Sequence, residues 1–223
     1  VDGTLSYKGK SPIKKQKYFE KNYIFPMKMA IKHIFDNLNL DSFKGIAVYQ
    51  GHSNNSYLEA IFNTSIYADI DIILNNFQDY VEAKNYLTSF NASRAHVYRS
   101  DAKSIITCVS RKVDTFVVTP KSSNFDLLRA APDYFLRFQP ENLDKIIEEQ
   151  FNTLDECSSL VEDGGQLVYI VPTLSQKEGP FLVRKFIESH KGFSLEKERQ
   201  YFPFDPYDSS LYYAIIRKEV END

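Results

Sequence analysis

The sequence is poor in the residues that build disulfide frameworks, metal sites and membrane spans. Its 223 residues include no Trp, two Met and two Cys. Two cysteines are too few for a zinc site, and in a chain of this length we expect Cys108 and Cys157 to be free thiols rather than a disulfide. No apolar run reaches the roughly 18 residues that a bilayer-crossing helix needs. We therefore expect no bound metal and no membrane partner.

The start of the sequence carries neither Met nor a signal peptide. With a hydrophobic fraction of 43%, 17 Phe and 15 Tyr, the chain can build one large core. It has no internal repeat and no Pro/Gly-rich linker. We expect a cytoplasmic domain cut from a longer protein, with residues 26–223 forming the folded unit.

Positive charge is concentrated at the beginning of a chain whose formal net charge is −3. Residues 1–35 contain eight Lys and only two acids, and the lysines alternate with aromatic residues. Such a basic arm can be a mobile tail, or it can supply phosphate contacts and stacking surfaces to RNA. We assign residues 1–25 to this arm, or to the remnant of a preceding domain, with Lys14, Lys15 and Lys17 as candidate RNA contacts.

Segments typical of strands and helices alternate along the rest of the chain. This alternation indicates a Rossmann-like α/β fold, a mostly parallel sheet of about seven strands with helices on both faces. Strands are predicted over 45–49, 70–74, 96–98, 114–119, 166–171, 193–196 and 211–217. Helices are predicted over 26–38, 56–62, 78–90, 103–111, 140–161 and 179–189, with Gly164 and Gly165 ending the fifth of them.

One strand-loop-helix unit has the arrangement that holds nucleotide-like ligands. The strand at 45–49 runs into Gln50-Gly51-His52-Ser53-Asn54-Asn55, and a capping box then opens a helix at Ser56. Glycine allows close approach of the backbone to a ligand, and a helix N-terminus offers free N–H groups. The candidate ligand contacts in this loop are Gly51, Ser53, Asn54 and Asn55.

Two motifs resemble those of the Sun-type 16S rRNA cytosine-5 methyltransferases. The run from Asp163 to Gly179, DGGQLVYIVPTLSQKEG, is similar to the sixth motif of that family, where Gly-Gly leads into a buried strand that ends in Thr-Cys before an acidic pair. The run from Val113 to Asp133 resembles the fourth motif, in which a strand ends in Asp-Ala-Pro-Cys-Ser-Gly. Gln150 and the segment at 202–215 add further landmarks in the family's order. The resemblance implies the class I S-adenosylmethionine-dependent methyltransferase fold.

The family's catalytic residues are missing from the matched positions. Pro172 stands in place of the nucleophilic cysteine, Thr119 in place of the aspartate and Ser122 in place of the second cysteine. In the family, a thiolate adds to carbon 6 of cytosine while the aspartate protonates the ring, so that carbon 5 can accept a methyl group. None of the three residues here supplies a thiolate or a carboxylate. The resemblance therefore implies a degenerate member that does not methylate cytosine.

The resemblance also suggests where S-adenosylmethionine would bind. Asn75 follows the second strand where the family has an acid for the ribose, with Asp69 and Asp71 as offset candidates. Asp101 follows the third strand and faces the adenine amine in the family, although it is equally placed to cap a helix. Residues 48–57 resemble the family's first motif only loosely, so whether S-adenosylmethionine binds to this chain is left open by the sequence.

Three functions are compatible with these observations. The leading hypothesis is a catalytically inactive protein that binds rRNA or a ribosomal particle, with Lys121 and Arg129 as further phosphate contacts. The second is an active S-adenosylmethionine-dependent methyltransferase with a different target atom. The third is a structural subunit that pairs with a catalytic paralogue or a ribosomal protein.

Overall fold

A computed structural model describes residues 29–38, 45–51, 69–90, 94–129, 131–207 and 209–220. Seven strands form one sheet in the order β3-β2-β1-β4-β5-β7-β6. Neighbouring strands from β3 to β5 run parallel, and β7 runs antiparallel to both β5 and β6. The strands are β1 Gly45–Gln50, β2 Asp69–Leu74, β3 Ala95–Arg99, β4 Val113–Thr119, β5 Val161–Val171, β6 Phe193–Tyr201 and β7 Leu211–Lys218. The predicted Rossmann-like sheet is confirmed.

Helices pack on both faces of this sheet. The described α-helices are α1 Met29–Asp36, α2 Phe77–Phe90, α3 Ile105–Cys108, α4 Tyr134–Arg137, α5 Pro140–Ser158 and α6 Pro180–Ser189, with 3-10 turns at Ala102–Ser104 and Phe125–Arg129. The predicted helix at 56–62 and the basic arm at 1–25 lie outside the described residues. Within the described part of the chain, no helix is long and apolar enough to cross a membrane.

The alternation of side chains along the strands divides the core in two. In β1, Ile46 and Val48 join a cluster that α1 and α2 cover, while Ala47 and Tyr49 join the cluster under α3, α5 and α6. Successive strand residues point to opposite faces of a sheet, so a parallel strand covered on both sides becomes apolar throughout. All six residues of β1 are buried for this reason.

The prediction that Gly164 and Gly165 end the long helix is wrong. Helix α5 ends at Ser158, and both glycines lie inside β5. There the ladder between β4 and β5 shifts register, and Gly164 adopts φ +76°. A Cβ on Gly165 would lie 2.8 Å from the carbonyl oxygen of Glu162 and 2.9 Å from that of Asp114. The glycine pair therefore forms a β-bulge, which needs a left-handed residue and close backbone contact.

Candidate functional site

The ends of the parallel strands bring most of the described candidate residues to one edge of the sheet, called here the carboxyl edge. Gly51, Asn75 and Asp101 follow β1, β2 and β3, and the segments 120–124 and 172–175 follow β4 and β5. Backbone hydrogen bonds connect the end of β1 to the ends of β4 and β2. Gly51 N donates to Thr119 O at 2.8 Å, and Asn75 N donates to Gln50 O at 3.1 Å. Ligands of open parallel sheets bind at this edge.

A buried carboxylate organises the exits of β4 and β5. Glu178 is fully buried, and each of its carboxylate oxygens accepts two hydrogen bonds. Oε1 accepts from Ser123 N at 2.8 Å and from Gln150 Nε2 at 2.9 Å, while Oε2 accepts from Ser123 Oγ at 2.5 Å and from Thr173 Oγ1 at 2.6 Å. Four donors compensate for the burial of a charge. With its acceptor sites occupied, this carboxylate is not free to act as a general base.

Two neighbours extend this network to the adjoining loops. Gln150 Nε2 also donates to the carbonyl oxygen of Lys121 at 2.8 Å, and Ser175 N donates to Thr173 Oγ1 at 3.0 Å. The hydroxyl of Tyr169 donates to the carbonyl oxygen of Glu178 at 2.9 Å. The loop after β4 is thereby fixed against the loop after β5 by side chains that sequence patterns did not single out as a cluster. The only signal for Glu178 was its place in the acidic part of the sixth motif.

The three positions that the resemblance matches to the family's catalytic residues lie at the end of β4 and on these two loops. Thr119 is fully buried at the end of β4, and its hydroxyl donates to the carbonyl oxygen of Tyr49 at 3.0 Å. Ser122 Oγ accepts a hydrogen bond from Asn124 N at 3.2 Å. Pro172 is buried and directly follows the last residue of β5. Proline ends the ladder because it has no N–H to donate.

Neither thiol of the chain lies at the carboxyl edge. Cys157 is buried near the end of α5, whose chain then enters β5 from the opposite edge, and burial raises the pKa of its thiol well above the usual range. Cys108 is partly buried and lines a polar cavity of about 240 Å³ together with Asp69 and Asp71. Those two acids begin β2, so this cavity also lies at the opposite edge. Both cysteines are free, as predicted.

Polar groups at the ends of β1, β2 and β3 are available to a ligand. The amide nitrogen and oxygen of Gln50 are buried and have no partner among the described residues. Asn75 is half-buried, whereas its neighbour Asn76 caps α2 by accepting from Gln78 N at 2.7 Å. Asp101 is exposed and precedes a 3-10 turn without a capping hydrogen bond from its side chain. These groups fit a polar, nucleoside-like ligand, because an unpaired buried amide is costly unless a ligand satisfies it.

The offset candidates Asp69 and Asp71 are wrong as cofactor contacts. Both lie in the first half of β2, Asp69 about 16 Å and Asp71 about 10 Å from its last residue at the usual rise per residue. Asp69 accepts from Arg94 Nε at 2.9 Å, and Asp71 lies 3.4 Å from Arg111 Nη2. Burial raises the pKa of Asp71, and the nearby Arg111 opposes this shift. These acids form a structural ion-pair cluster at the opposite edge.

The candidate RNA contacts are only partly described. Lys121 is exposed on the loop after β4, while its backbone is fixed by Gln150. Arg129 ends a 3-10 turn, and its side chain lies outside the described part of the structure. The remaining candidates, Lys14, Lys15, Lys17, Ser53, Asn54 and Asn55, lie outside it as well. In the described part, no group of three or more His, Cys, Asp or Glu side chains could hold a metal ion.

Two histidines have partners that the sequence did not reveal. His33 Nδ1 lies 2.6 Å from the hydroxyl of Tyr201, and His190 Nε2 lies 2.7 Å from Asp155 Oδ1. Burial lowers the pKa of His33, and the nearby cations Arg199 and Lys197 lower it further. Both contacts join elements far apart in sequence, which spacing within one helix could not predict.

Known proteins resemble this chain in sequence over part of its length and in fold over most of it. No family model matches. The chain is 36% identical over 101 residues to ribosomal RNA small subunit methyltransferase B of Thermus thermophilus, and the match spans 40% of this chain and 25% of that protein. It matches NSun6 from Pyrococcus horikoshii, a structure with SFG, with a TM-score of 0.78 and 16% identity over 93% of this chain and 56% of that one.

A methyltransferase homologue from Pyrococcus horikoshii gives a TM-score of 0.74 and 14% identity, over 94% of this chain and 73% of that one. The structural matches establish the methyltransferase fold. The sequence match supports a relationship with rRNA methyltransferases. The chain spans only about half of the NSun6 chain, and the sequence match covers a quarter of the Thermus enzyme.

Proposed function

We propose that this chain is a degenerate Sun-type methyltransferase that binds rRNA or a ribosomal particle without methylating cytosine. The observation that carries the proposal is the chemistry of the carboxyl edge. Thr119, Ser122 and Pro172 end or follow β4 and β5, and none of them has a thiol or a carboxylate. Addition of a thiolate to carbon 6 is what makes carbon 5 of cytosine reactive, so a site without a thiol lacks the first step.

The surrounding residues do not replace the missing groups. Glu178 is buried with all its acceptor sites in use, and the hydroxyl of Ser123 donates to it. Ser123 is itself buried, so this pair does not resemble an accessible nucleophile with its base. The cysteines lie at the opposite edge of the sheet. The absence of an accessible thiol among the described residues of this site supports the proposal that the chain does not activate a pyrimidine covalently.

A methyl-transfer experiment tests the inactive reading. The whole chain is incubated with tritiated S-adenosylmethionine and purified 16S rRNA, with the Thermus relative as a positive control. We expect no tritium at carbon 5 of cytosine and no covalent adduct with a transcript containing 5-fluorocytidine. Label at carbon 5, or a trapped adduct, would contradict the proposal.

RNA binding is supported by the similarity to an rRNA methyltransferase and by exposed cations at the carboxyl edge. Lys121 lies on the loop beside the family's catalytic positions and makes no ion pair with a described residue. Each phosphate contact to a single strand contributes about 0.7 to the slope of log K against log salt concentration. Lys121→Ala should therefore reduce the magnitude of this slope by about that amount.

The matched control is Lys145→Ala, because Lys145 is also an exposed lysine but lies on the outer face of α5. Filter binding of a 16S rRNA fragment at several salt concentrations measures both variants. Equal slopes for Lys121→Ala and the wild-type chain would remove Lys121 from the RNA surface. Absence of any binding at low salt would contradict the RNA-binding function itself.

A second candidate, an active methyltransferase with another target atom, is favoured by the polar ends of β1, β2 and β3. Gln50, Asn75 and Asp101 would hold S-adenosylmethionine, which would supply the methyl group when bound. A ribose hydroxyl or an amine can accept a methyl group without a covalent adduct, so this reading does not need the missing cysteine. Calorimetry with S-adenosylmethionine separates the candidates, with Gln50→Leu as the variant that should abolish any heat of binding.

A further inference from the structure

An exposed aromatic pair lies beyond the end of β6. Phe204 is 83% exposed and Phe202 is 39% exposed, and their rings lie parallel with centroids 5.2 Å apart and an interplanar angle of 4°. The turn that presents them is closed twice: Asp205 N donates to the carbonyl oxygen of Phe202, and Asp205 Oδ2 accepts from Phe202 N, both at 3.0 Å. The pair is therefore held in shape although it contributes little to the core.

This pair belongs to the carboxyl edge. Strand β6 runs antiparallel to β7 and therefore parallel to β5, so both strands end at the same edge. Gln200 Nε2 donates to the carbonyl oxygen of Thr173 at 2.9 Å, which ties the end of β6 to the loop after β5. The aromatic pair starts two residues after Gln200, beside the loops that carry the family's catalytic positions.

Cations accompany the aromatic rings. Arg199 is exposed, with its guanidinium carbon 4.7 Å from the centroid of the Tyr201 ring and 5.3 Å from that of Tyr207. Neither Arg199 nor the exposed Lys197 makes an ion pair with a described carboxylate, and Lys197 Nζ donates to Asn37 Oδ1 at 3.1 Å, just beyond the end of α1. Their charge is felt locally, because both contribute to lowering the pKa of His33. The carboxylate of Asp205, by contrast, is used within the turn.

We propose that Phe202 and Phe204, with Arg199 near the end of the same strand, form a stacking site for the bases of single-stranded RNA. Exposed aromatic faces together with an exposed cation at the same strand end are a combination that binds single strands, since every base offers a π-face and every linkage a phosphate. Two rings are far too small for a stable protein interface, which needs roughly 800 Å² from each partner. The site rests on the proposed RNA-binding function and extends it to a surface outside the catalytic loops.

Fluorescence anisotropy tests the site with a fluorescein-labelled single-stranded RNA of about twelve nucleotides and mixed sequence. The variants are Phe204→Ala and Phe204→Leu of the whole chain. Because the side chain is mostly exposed, both variants should keep the wild-type circular dichroism spectrum. Loss of one stacked base should weaken binding between about fivefold and a hundredfold in both variants. The same oligonucleotide with abasic nucleotides should bind wild-type and variant chains equally.

Phe181→Ala is the matched control, because Phe181 is a 52% exposed phenylalanine that lies on a different element, in the first turn of α6. Its affinity should stay within about twofold of the wild-type value. Wild-type affinity in Phe204→Ala would overturn the stacking site while leaving RNA binding in place. Affinity retained by Phe204→Leu but lost by Phe204→Ala would indicate an apolar contact and would also overturn it. No binding by the wild-type chain would instead defeat the proposed function.

Discussion

Replacement of Glu178 tests whether the buried carboxylate holds the two loops of the carboxyl edge together. We compare Glu178→Ala with Glu178→Gln, which keeps the shape of the side chain. In the glutamine variant, the amide oxygen can still accept from Ser123 N and Gln150 Nε2. Its NH₂ group then faces the hydroxyls of Ser123 and Thr173, which can turn and accept because hydroxyl groups both donate and accept.

The two variants should differ strongly in stability. Alanine leaves the backbone N–H of Ser123 buried without a partner, at a cost of about 1–3 kcal/mol, and removes three further hydrogen bonds to a charged group. The hydroxyls of Ser123 and Thr173 can find other acceptors, and Gln150 keeps its bond to Lys121. We therefore expect Glu178→Ala to lower the free energy of unfolding by about 4 kcal/mol, and Glu178→Gln by only about 1–2 kcal/mol.

Urea unfolding followed by far-UV circular dichroism measures these differences, because the chain has no Trp for fluorescence. Glu148→Ala serves as the control, since Glu148 is an exposed acid on α5, the helix that carries Gln150, and should change stability by less than about 0.5 kcal/mol. The reasoning is refuted if Glu178→Ala unfolds at the wild-type urea concentration, or if the glutamine variant is as unstable as the alanine variant.

Three further predictions concern the β-bulge at Gly165, the ion-pair cluster around Asp71 and the effect of Arg199 on His33. Gly165→Ala should lower the free energy of unfolding by about 2 kcal/mol or more, because its Cβ would clash with two backbone oxygens. Gly192→Ala is the control, since a Cβ on Gly192 would have no atom within 4 Å, and its stability in urea unfolding should stay near that of the wild-type chain. Because folding raises the pKa of Asp71, the wild-type chain should lose stability as pH rises from 3.8, the pKa of the unfolded state, through the folded pKa. Asp71→Asn should lack this loss, so the stability of the variant relative to wild type should increase between pH 4 and pH 7 in urea unfolding. A difference between the two chains that stays constant with pH would contradict the prediction. Arg199→Ala should raise the pKa of His33 towards 6.5 in an NMR titration, and an unchanged value would show that Arg199 does not act on it.

The order of strands and helices could be predicted from local sequence patterns. The incorrect prediction, at the glycine pair, concerns a place where two strands contact each other. Alternating strands and helices predicted the sheet because hydrophobic periodicity is a property of each segment alone. The glycine pair at 164–165 was misassigned because a helix end and a β-bulge make the same local demand for a left-handed residue. The structure distinguishes them through the closeness of Gly165 to the β4 backbone, a contact between strands.

The candidate site likewise has features that follow from the sequence and features that depend on the tertiary structure. That Thr119, Ser122 and Pro172 carry neither a thiol nor a carboxylate is a matter of residue identity. The exclusion of Asp69 and Asp71 required the strand direction, because they begin β2 and lie at the edge opposite to Asn75. A linear pattern gives the order of residues along a strand but does not fix which of two offset acids reaches the ligand.

The amino-acid sequence alone determined the class of fold, the two lone thiols and the lack of a thiol or carboxylate at Thr119, Ser122 and Pro172, since each depends on composition or on order along the chain. Only the tertiary structure decided that Glu178 joins two loops and that the exposed rings of Phe202 and Phe204 stack on each other. It also showed that both cysteines lie away from the carboxyl edge. These are relations between side chains brought together by strand pairing, and no spacing within a single segment encodes them.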